Sequence, residues 1–322
     1  MRFTYIGSHT GVEGRLCEAA GISFEAIQTG KFRRYWDLRN FFDIFRVGMG
    51  MVQAFFKLLR LRPKVVFSKG GFVGFPVVFA AWLIGIPVIT HESDAIPGLA
   101  TRLSAPFVKK ILLGYEEAAE GLDRHKHKLE FTGNPVRLSL FDGDVERGKK
   151  WTSFSGDKPV LLVMGGSSGS TQLNEHFEEE KEKHTEVYDV VHLTGTLQRS
   201  GSAYKKNKHY FALPFAGEGM KDLYALTSVA ISRAGANSLA ELEALQIPAL
   251  LFPLGRHASR GDQKANAEAL TYENSLYRIG EVGKSLASQL LLLPRRSAAK
   301  ANEPLEPKNN ATQKIAFTLL AV

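Results

Sequence analysis

Short apolar runs, often β-branched, recur along the chain and are separated by longer stretches whose apolar positions fall three and four apart. Strand-length runs alternating with helical spacing are the pattern of βαβ units wound around a parallel sheet. In the first half, "RFTYIG" (2–7) reads as a strand, "GVEGRLCEAAG" as a helix and "FEAIQTG" as the next strand. "KVVFSKGG" (64–71) is a strand entering a glycine loop, and "PVITHE" (87–92) is another strand followed by a helix from about Pro97. A second series opens with "KPVLLVMGGSSGS" from 158 and continues through "DVVHLTG", "HYFALPF", "SVAISRAG" and "PALLFPL". The expected fold class is therefore α/β, with two doubly wound domains that meet near "GNPVR" (133–137), and ligands are expected beyond the carboxyl ends of the strands.

Composition narrows this picture. A chain of 322 residues with 44% apolar residues can bury a full core. Its single cysteine, Cys17, excludes an internal disulfide and suits a reducing compartment. The N-terminal residues show no basic-then-apolar secretory pattern. The longest apolar run, 75–89, is interrupted by Gly85 and Pro87 and reads as a buried helix entering a strand rather than a membrane span. The formal charge of +8 points to an anionic partner, and most of the surplus lies between Lys31 and Arg62, which hold eight Lys/Arg against two Asp together with eight aromatics.

Four stretches carry candidate chemistry. "GGSSGS" (165–170) follows a strand and has the small residues that let backbone N–H groups approach a phosphate; a tight strand-to-helix turn would use the same residues. In "SRAGANSLAELEAL" (232–245), Ser238 and Glu241 fit a capping box, or Glu241 grips the vicinal hydroxyls of a ribose while the helix start faces a diphosphate. Gln263 and Asn266 in "ASRGDQKANA" share one face of a helix start, suited either to sugar hydroxyls or to solvent. "KGGFVGFP" (69–76) is a second glycine loop, edged by phenylalanines. Neither a P-loop nor a G-x-G-x-x-G motif is present, which disfavours NTPase and dinucleotide readings.

In order, "YIGSHTGVE", "GKFRRYWDLRNFFDIFRVGMGMVQA", "SKGGFVGFP", "GIPVITHESDAIPGLATRL", "FTGNPVR", "MGGSSGS", "HLTG", "RAGANSLAEL" and "ASRGDQKANA" resemble the MurG family of peptidoglycan glycosyltransferases, within glycosyltransferase family 28. The resemblance implies a GT-B architecture of two Rossmann-like domains facing a cleft. It implies domains at 1–135 (acceptor and membrane) and 136–295 (UDP-GlcNAc), with 296–322 forming a connector and a helix that docks back on the first. It also implies an inverting transfer of GlcNAc from UDP-GlcNAc to lipid I, without metal or cofactor, at the cytoplasmic face of the cell membrane, and no nucleic-acid partner.

By the same resemblance, Arg137 and Ser167 would contact the nucleotide, Phe215 and Ala216 would edge the uracil pocket, and Glu241 would take the ribose. The helix start at Ala236 would receive the diphosphate, and Gln263, Asn266 and Asp94 would lie near the GlcNAc. His91 and Glu92 are the candidate catalytic pair, with a hydrogen-bonded structural turn as the alternative for His91. Gly70, Gly71 and Gly74 would hold the acceptor's lipid diphosphate. Arg33, Arg34, Trp36, Arg39, Phe42 and Phe45 would form the patch on the anionic membrane. Two departures stand out: "HESD" replaces the family's "HEQN" and Ser168 replaces a glutamine, and the family's opening strand with its "GGTGGH" loop is expected before "YIGS". On that ground, a non-catalytic UDP-GlcNAc- and membrane-binding chain, or a transferase with another lipid acceptor, are the alternatives.

Overall fold

The computed structural model describes residues 2–9, 13–30, 39–166, 168–196, 205–255, 261–272, 274–296 and 310–322, with backbone only for 39–44 and 205. The chain forms two compact units, Met1–Gly133 with Gln313–Val322, and Asn134–Thr312.

The first unit opens with β1 (Thr4–Ser8), α1 (Glu13–Ala19) and β2 (Ser23–Ile27), then the long α2 (Arg39–Leu61). It continues through β3 (Val66–Ser68), α3 (Gly71–Leu83), β4 (Val88–Glu92) and α4 (Leu99–Ser104) to β5 (Lys110–Leu113) and β6 (Leu129–Phe131). All strand pairs are parallel, yet they form two sheets, β1-β2 and β3-β4-β5-β6. The division falls between β1 and β3. Val78, Ala80 and Ala81 of α3 pack with Ala54 and Leu58 of α2 and with Ile111 and Leu113 of β5 in one core. The apolar run 75–89 thus becomes a helix entering a strand, as its pattern predicts.

The second unit contains α5 (Val145–Thr152), β7 (Val160–Met164), α6 (Thr171–Val187), β8 (Asp189–Leu193), β9 (Lys205–Asn207) and β10 (Tyr210–Leu213). Then follow α7 (Met220–Leu226), β11 (Thr227–Ser232), α8 (Ala236–Ala244), β12 (Ala249–Leu251), α9 (Asp262–Thr271), β13 (Tyr277–Ile279) and α10 (Leu286–Leu290). Its sheet runs β13-β12-β11-β7-β8-β10-β9, parallel except for the edge strand β9. β7 is central and the winding reverses beside it, so β7 and β11 flank the topological switch point where ligands bind in such sheets. Strands covered on both faces must be apolar throughout, and β7 (VLLVM) is buried at every position. Helices cover both faces. Leu239 and Leu242 of α8 pack on one side, and Leu173 and Phe177 of α6 on the other.

The last helix, α11 (Ala311–Leu320), places Ile315 against Ile89 and Leu112 of the first unit, and Thr318 donates to Glu130 at 3.3 Å.

A close approach in the first unit has a testable consequence. A Cβ on Gly50, in α2, would lie 2.2 Å from the carbonyl oxygen of Gln28, whereas one on Gly48, a half-turn away, meets nothing within 4 Å. Gly50→Ala is expected to destabilise this unit by about 1–3 kcal/mol through forced backbone shifts. Gly48→Ala should be neutral or stabilising by up to about 1 kcal/mol from helix propensity. Chemical denaturation of the two variants side by side measures the contrast.

Candidate functional site

In the second unit the candidate residues gather at the switch point. After β7, Gly166 and Gly169 take left-handed backbone angles, and Ser170 caps α6 by accepting from the Leu173 amide at 3.3 Å. The loop is tight because the chain after β8 presses on it: a Cβ on Gly195 would lie 2.1 Å from the Gly169 Cα. Ser167 lies outside the described residues. Asn174 of α6 ties the same corner together, donating to the Thr194 carbonyl at 2.9 Å and accepting from His192 Nε2 at 3.1 Å.

Next to this loop, β11 ends and α8 begins at Ala236, with Gly235 as its N-cap and no side chain capping the first turn. The helix therefore starts before Ser238, and Glu241 is a mid-helix residue rather than a cap. Its carboxylate accepts from the Tyr224 hydroxyl at 2.8 Å and faces Arg137 Nη2 at 3.7 Å. Burial pushes the Glu241 carboxyl above its ordinary range, against the opposing pull of Tyr224 and Arg137. Burial likewise raises the Tyr224 phenol well above its usual value, so this hydroxyl stays a donor. Arg137 keeps about half its side chain in solvent, and Phe215, just after β10, is 61% exposed with Ala216 half-buried beside it.

Two of the donor-side residues are differently placed than the sequence suggests. Asn266 is fully buried, and its amide donates to the Ala234 carbonyl at 3.3 Å, so it braces the start of α8 instead of facing outward. The Gln263 side-chain carbonyl accepts from the Leu254 amide at 2.9 Å and shapes the end of the strand-to-helix connection. Ala236 is buried at the first position of α8.

In the first unit, both catalytic candidates are held by protein groups. His91 is fully buried; its Nε2–H donates to the Gly133 carbonyl at 3.0 Å and its Nδ1 accepts from the Lys69 ammonium at 3.0 Å. Both ring nitrogens thus have protein partners, the arrangement expected of the structural alternative. Burial and the Lys69 charge push its pKa down to about 4. Glu92 accepts from the Asp94 and Gly98 amides at 3.1 and 2.9 Å and from the Thr101 hydroxyl at 2.6 Å. It holds the turn into α4, and the half-buried Asp94 lies on that turn.

Gly70 and Gly71 sit at the start of α3, both left-handed, with no side-chain cap at the N-cap Gly70. Gly74 lies inside the helix, where a Cβ would come within 2.7 Å of Ser68 Oγ, so close packing already accounts for a glycine there. Lys69 stands directly before this loop and was not singled out by the sequence reading. It bonds Ser93 Oγ at 2.7 Å as well as His91, and desolvation by its neighbours lowers its pKa to about 8, although much of the side chain is open to solvent. A cation immediately preceding two glycines was the available signal. Tyr224 had none, since it lies on a different helix from Glu241.

Of the membrane-patch candidates, Arg33, Arg34 and Trp36 lie outside the described residues, and Arg39 and Phe42 are described as backbone of α2 only. Phe45 is 73% exposed and opens a stripe along α2 with Met49, Val52, Phe56 and Leu59, all exposed at alternating spacings of four and three. A helix face with that spacing is continuous. Among the described residues, no helix is long and apolar enough to cross a membrane.

The family models and the relatives of similar sequence agree on one family. The model of the glycosyltransferase family 28 N-terminal domain matches residues 1–113, and that of the family 28 C-terminal domain matches 160–319. A UDP-N-acetylglucosamine–N-acetylmuramyl-(pentapeptide) pyrophosphoryl-undecaprenol N-acetylglucosamine transferase of Bacillus cereus is 42% identical over 286 residues, covering 88% of this chain and 80% of the relative. The enzyme of that name from Legionella pneumophila is 43% identical over 263 residues, covering 82% and 72%. Among solved structures, Acinetobacter baumannii MurG superposes with a TM-score of 0.67 at 20% identity, covering 100% of this chain and 91% of that one. A UDP-GlcNAc 2-epimerase from Neisseria meningitidis reaches 0.64 at 14% identity, covering 100% and 92%. These two likenesses are of fold, the GT-B class of paired Rossmann-like α/β domains.

The buried histidines set an acid limit on stability. His91 and His192 both have folded pKa values of about 4, below the ordinary 6.5, so their neutral forms are favoured in the fold. The stability this represents is present above pH 6.5 and is lost as the pH falls towards 4, roughly 3 kcal/mol for each group. Denaturation midpoints measured between pH 7 and 4.5 should fall steadily, and His91→Gln should flatten that slope for the first unit.

Proposed function

Because this chain belongs to glycosyltransferase family 28, we propose that it transfers N-acetylglucosamine from UDP-GlcNAc to the muramyl 4-hydroxyl of undecaprenyl-diphosphate-linked muramyl-pentapeptide, converting lipid I to lipid II in peptidoglycan synthesis. The observation that supports the donor assignment is the Glu241 carboxylate, held by Tyr224 and faced by Arg137 at the switch point of the second unit. A carboxylate fixed by one donor keeps lone pairs for the two hydroxyls of a ribose. The uncapped N–H groups at the start of α8 and the partly exposed Arg137 supply positive potential for the diphosphate, whose charge grows as UDP departs. Phe215 offers an exposed ring for one face of the base. Asn266 and Gln263 serve this site by bracing the α8 and α9 starts.

The acceptor reading rests on the first unit. Gly71 and the start of α3, which has no side-chain cap, supply backbone donors, the Gly70 N–H being taken by Ser68 Oγ at 3.2 Å, and Lys69, mostly protonated at neutral pH, adds a cation beside them. This combination suits the lipid diphosphate.

The exposed apolar stripe on α2 supports peripheral docking on a membrane surface. A second exposed ring, Trp82 of α3, packed against Phe79 and against Phe107 of the turn after α4, supports the same docking.

UDP release from the 322-residue protein supplied with lipid I and UDP-GlcNAc tests the reaction; binding of UDP-GlcNAc without turnover would sink it. Glu241→Gln and Arg137→Ala should each weaken UDP-GlcNAc by about tenfold to a hundredfold, read as KM. Phe45→Asp with Phe56→Asp should lower partition onto phosphatidylglycerol vesicles by roughly a hundredfold, at about 1.5 kcal/mol for each ring no longer buried. UDP binding should be unchanged in that double variant.

A further inference from the structure

Arg233, the residue after β11, is 7% exposed. Its Nη1 donates to the Phe252 and Pro253 carbonyls at 2.9 and 3.4 Å, while its Nε–H is buried and finds no acceptor. Among the described residues, no carboxylate pairs with it. Arginine does not shed its proton in proteins, so burial here, which pulls its pKa down, leaves a desolvated positive charge without a counter-charge.

The guanidinium borders a cavity of about 100 Å³ lined by Gln172 and His176 of α6, by Phe252 and Pro253 after β12, and by Gly280 and Val282 after β13. This cavity lies on the α6 face of the sheet, whereas Glu241 projects from α8, which packs on the opposite face. The Phe252 ring forms one wall, with the His176 ring edge-on to it at 5.7 Å. That wall depends on a glycine opposite it, since a Cβ on Gly280 would lie 2.3 Å from the ring. The volume is too small for a sugar nucleotide and large enough for a phosphate or carboxylate group with a water molecule.

We infer that this cavity is an oxyanion site, separate from the UDP-GlcNAc site, in which Arg233 holds a phosphate or carboxylate group. With Nη1 committed to carbonyls and Nε sealed from solvent, the Nη2 hydrogens are the donors left for an oxygen of the anion. Gln172 supplies a neutral donor and His176 a second ring donor at the rim. Phe252 and Pro253 supply an apolar wall beside the guanidinium. Because Arg233 precedes Ala234, whose carbonyl is held by Asn266, an anion on the guanidinium also braces the backbone that begins α8.

The direct test observes the Arg233 Nε–Hε resonance in ¹⁵N-labelled protein, with UDP at saturation to block the diphosphate site. Titration with inorganic phosphate and, separately, with acetate should shift that resonance saturably. Response to phosphate alone identifies a phosphoryl group as the ligand, and response to acetate alone a carboxylate. Val282→Glu supplies an internal carboxylate at the cavity, and is expected to shift the resonance in the absence of any anion and to remove the titration. Arg233→Gln, should it fold, abolishes the response. A resonance that moves with neither anion in the unaltered protein, while Val282→Glu folds and moves it, overturns the inference.

Discussion

Two neighbouring parallel strands, β7 and β11, send their chains to helices on opposite faces of one sheet, and the second unit's candidate chemistry depends on that divergence. The parting leaves backbone donors at the loop after β7 and at the start of α8, without a side chain that caps α8. It also sets Glu241 on the first turns of α8, within reach of Tyr224 from α7 and Arg137 from the segment before α5. The geometry is inherited from strand order, which explains why residues far apart in sequence converge there.

Much of this organisation is legible in the sequence because parallel strands covered on both faces must be short and apolar, and "VLLVM", "SVAIS" and "PALL" announce themselves. The glycine-rich stretches were legible for the same reason: only small residues suit chains in close approach, as at Gly195 against Gly169. Side-chain orientation was not. The three-residue spacing of Gln263 and Asn266 fixes that they share a helix face, but not that this face turns inward and spends Asn266 on the Ala234 carbonyl. Nor does "THESD" disclose that His91 is sealed between Gly133 and Lys69, partners 42 and 22 residues away. The aromatic content of 31–62 was evident from composition, while the stripe on α2 depends on helical phase, visible only when Phe45, Met49, Val52, Phe56 and Leu59 are counted in sevens.

The two units manage charge differently. In the first, Lys69 is set against a neutral imidazole and Lys57 and Arg60 of α2 are tied to Glu25 of β2, so part of the basic surplus is consumed internally. In the second, Arg147 is matched bidentately by the buried Asp222, joining α5 to α7. Arg233 is the contrast, buried with only carbonyl partners.

The divided sheet of the first unit has a consequence for strand pairing. Among the described residues, β1 bonds only to β2 and β3 only to β4, so each presents one row of unpaired main-chain groups, flanked by the exposed rings of Tyr5 and Phe67. An unpaired strand edge is a template for a strand from another molecule. Each of these two edges can therefore take up one further strand, against which the Tyr5 and Phe67 rings would pack.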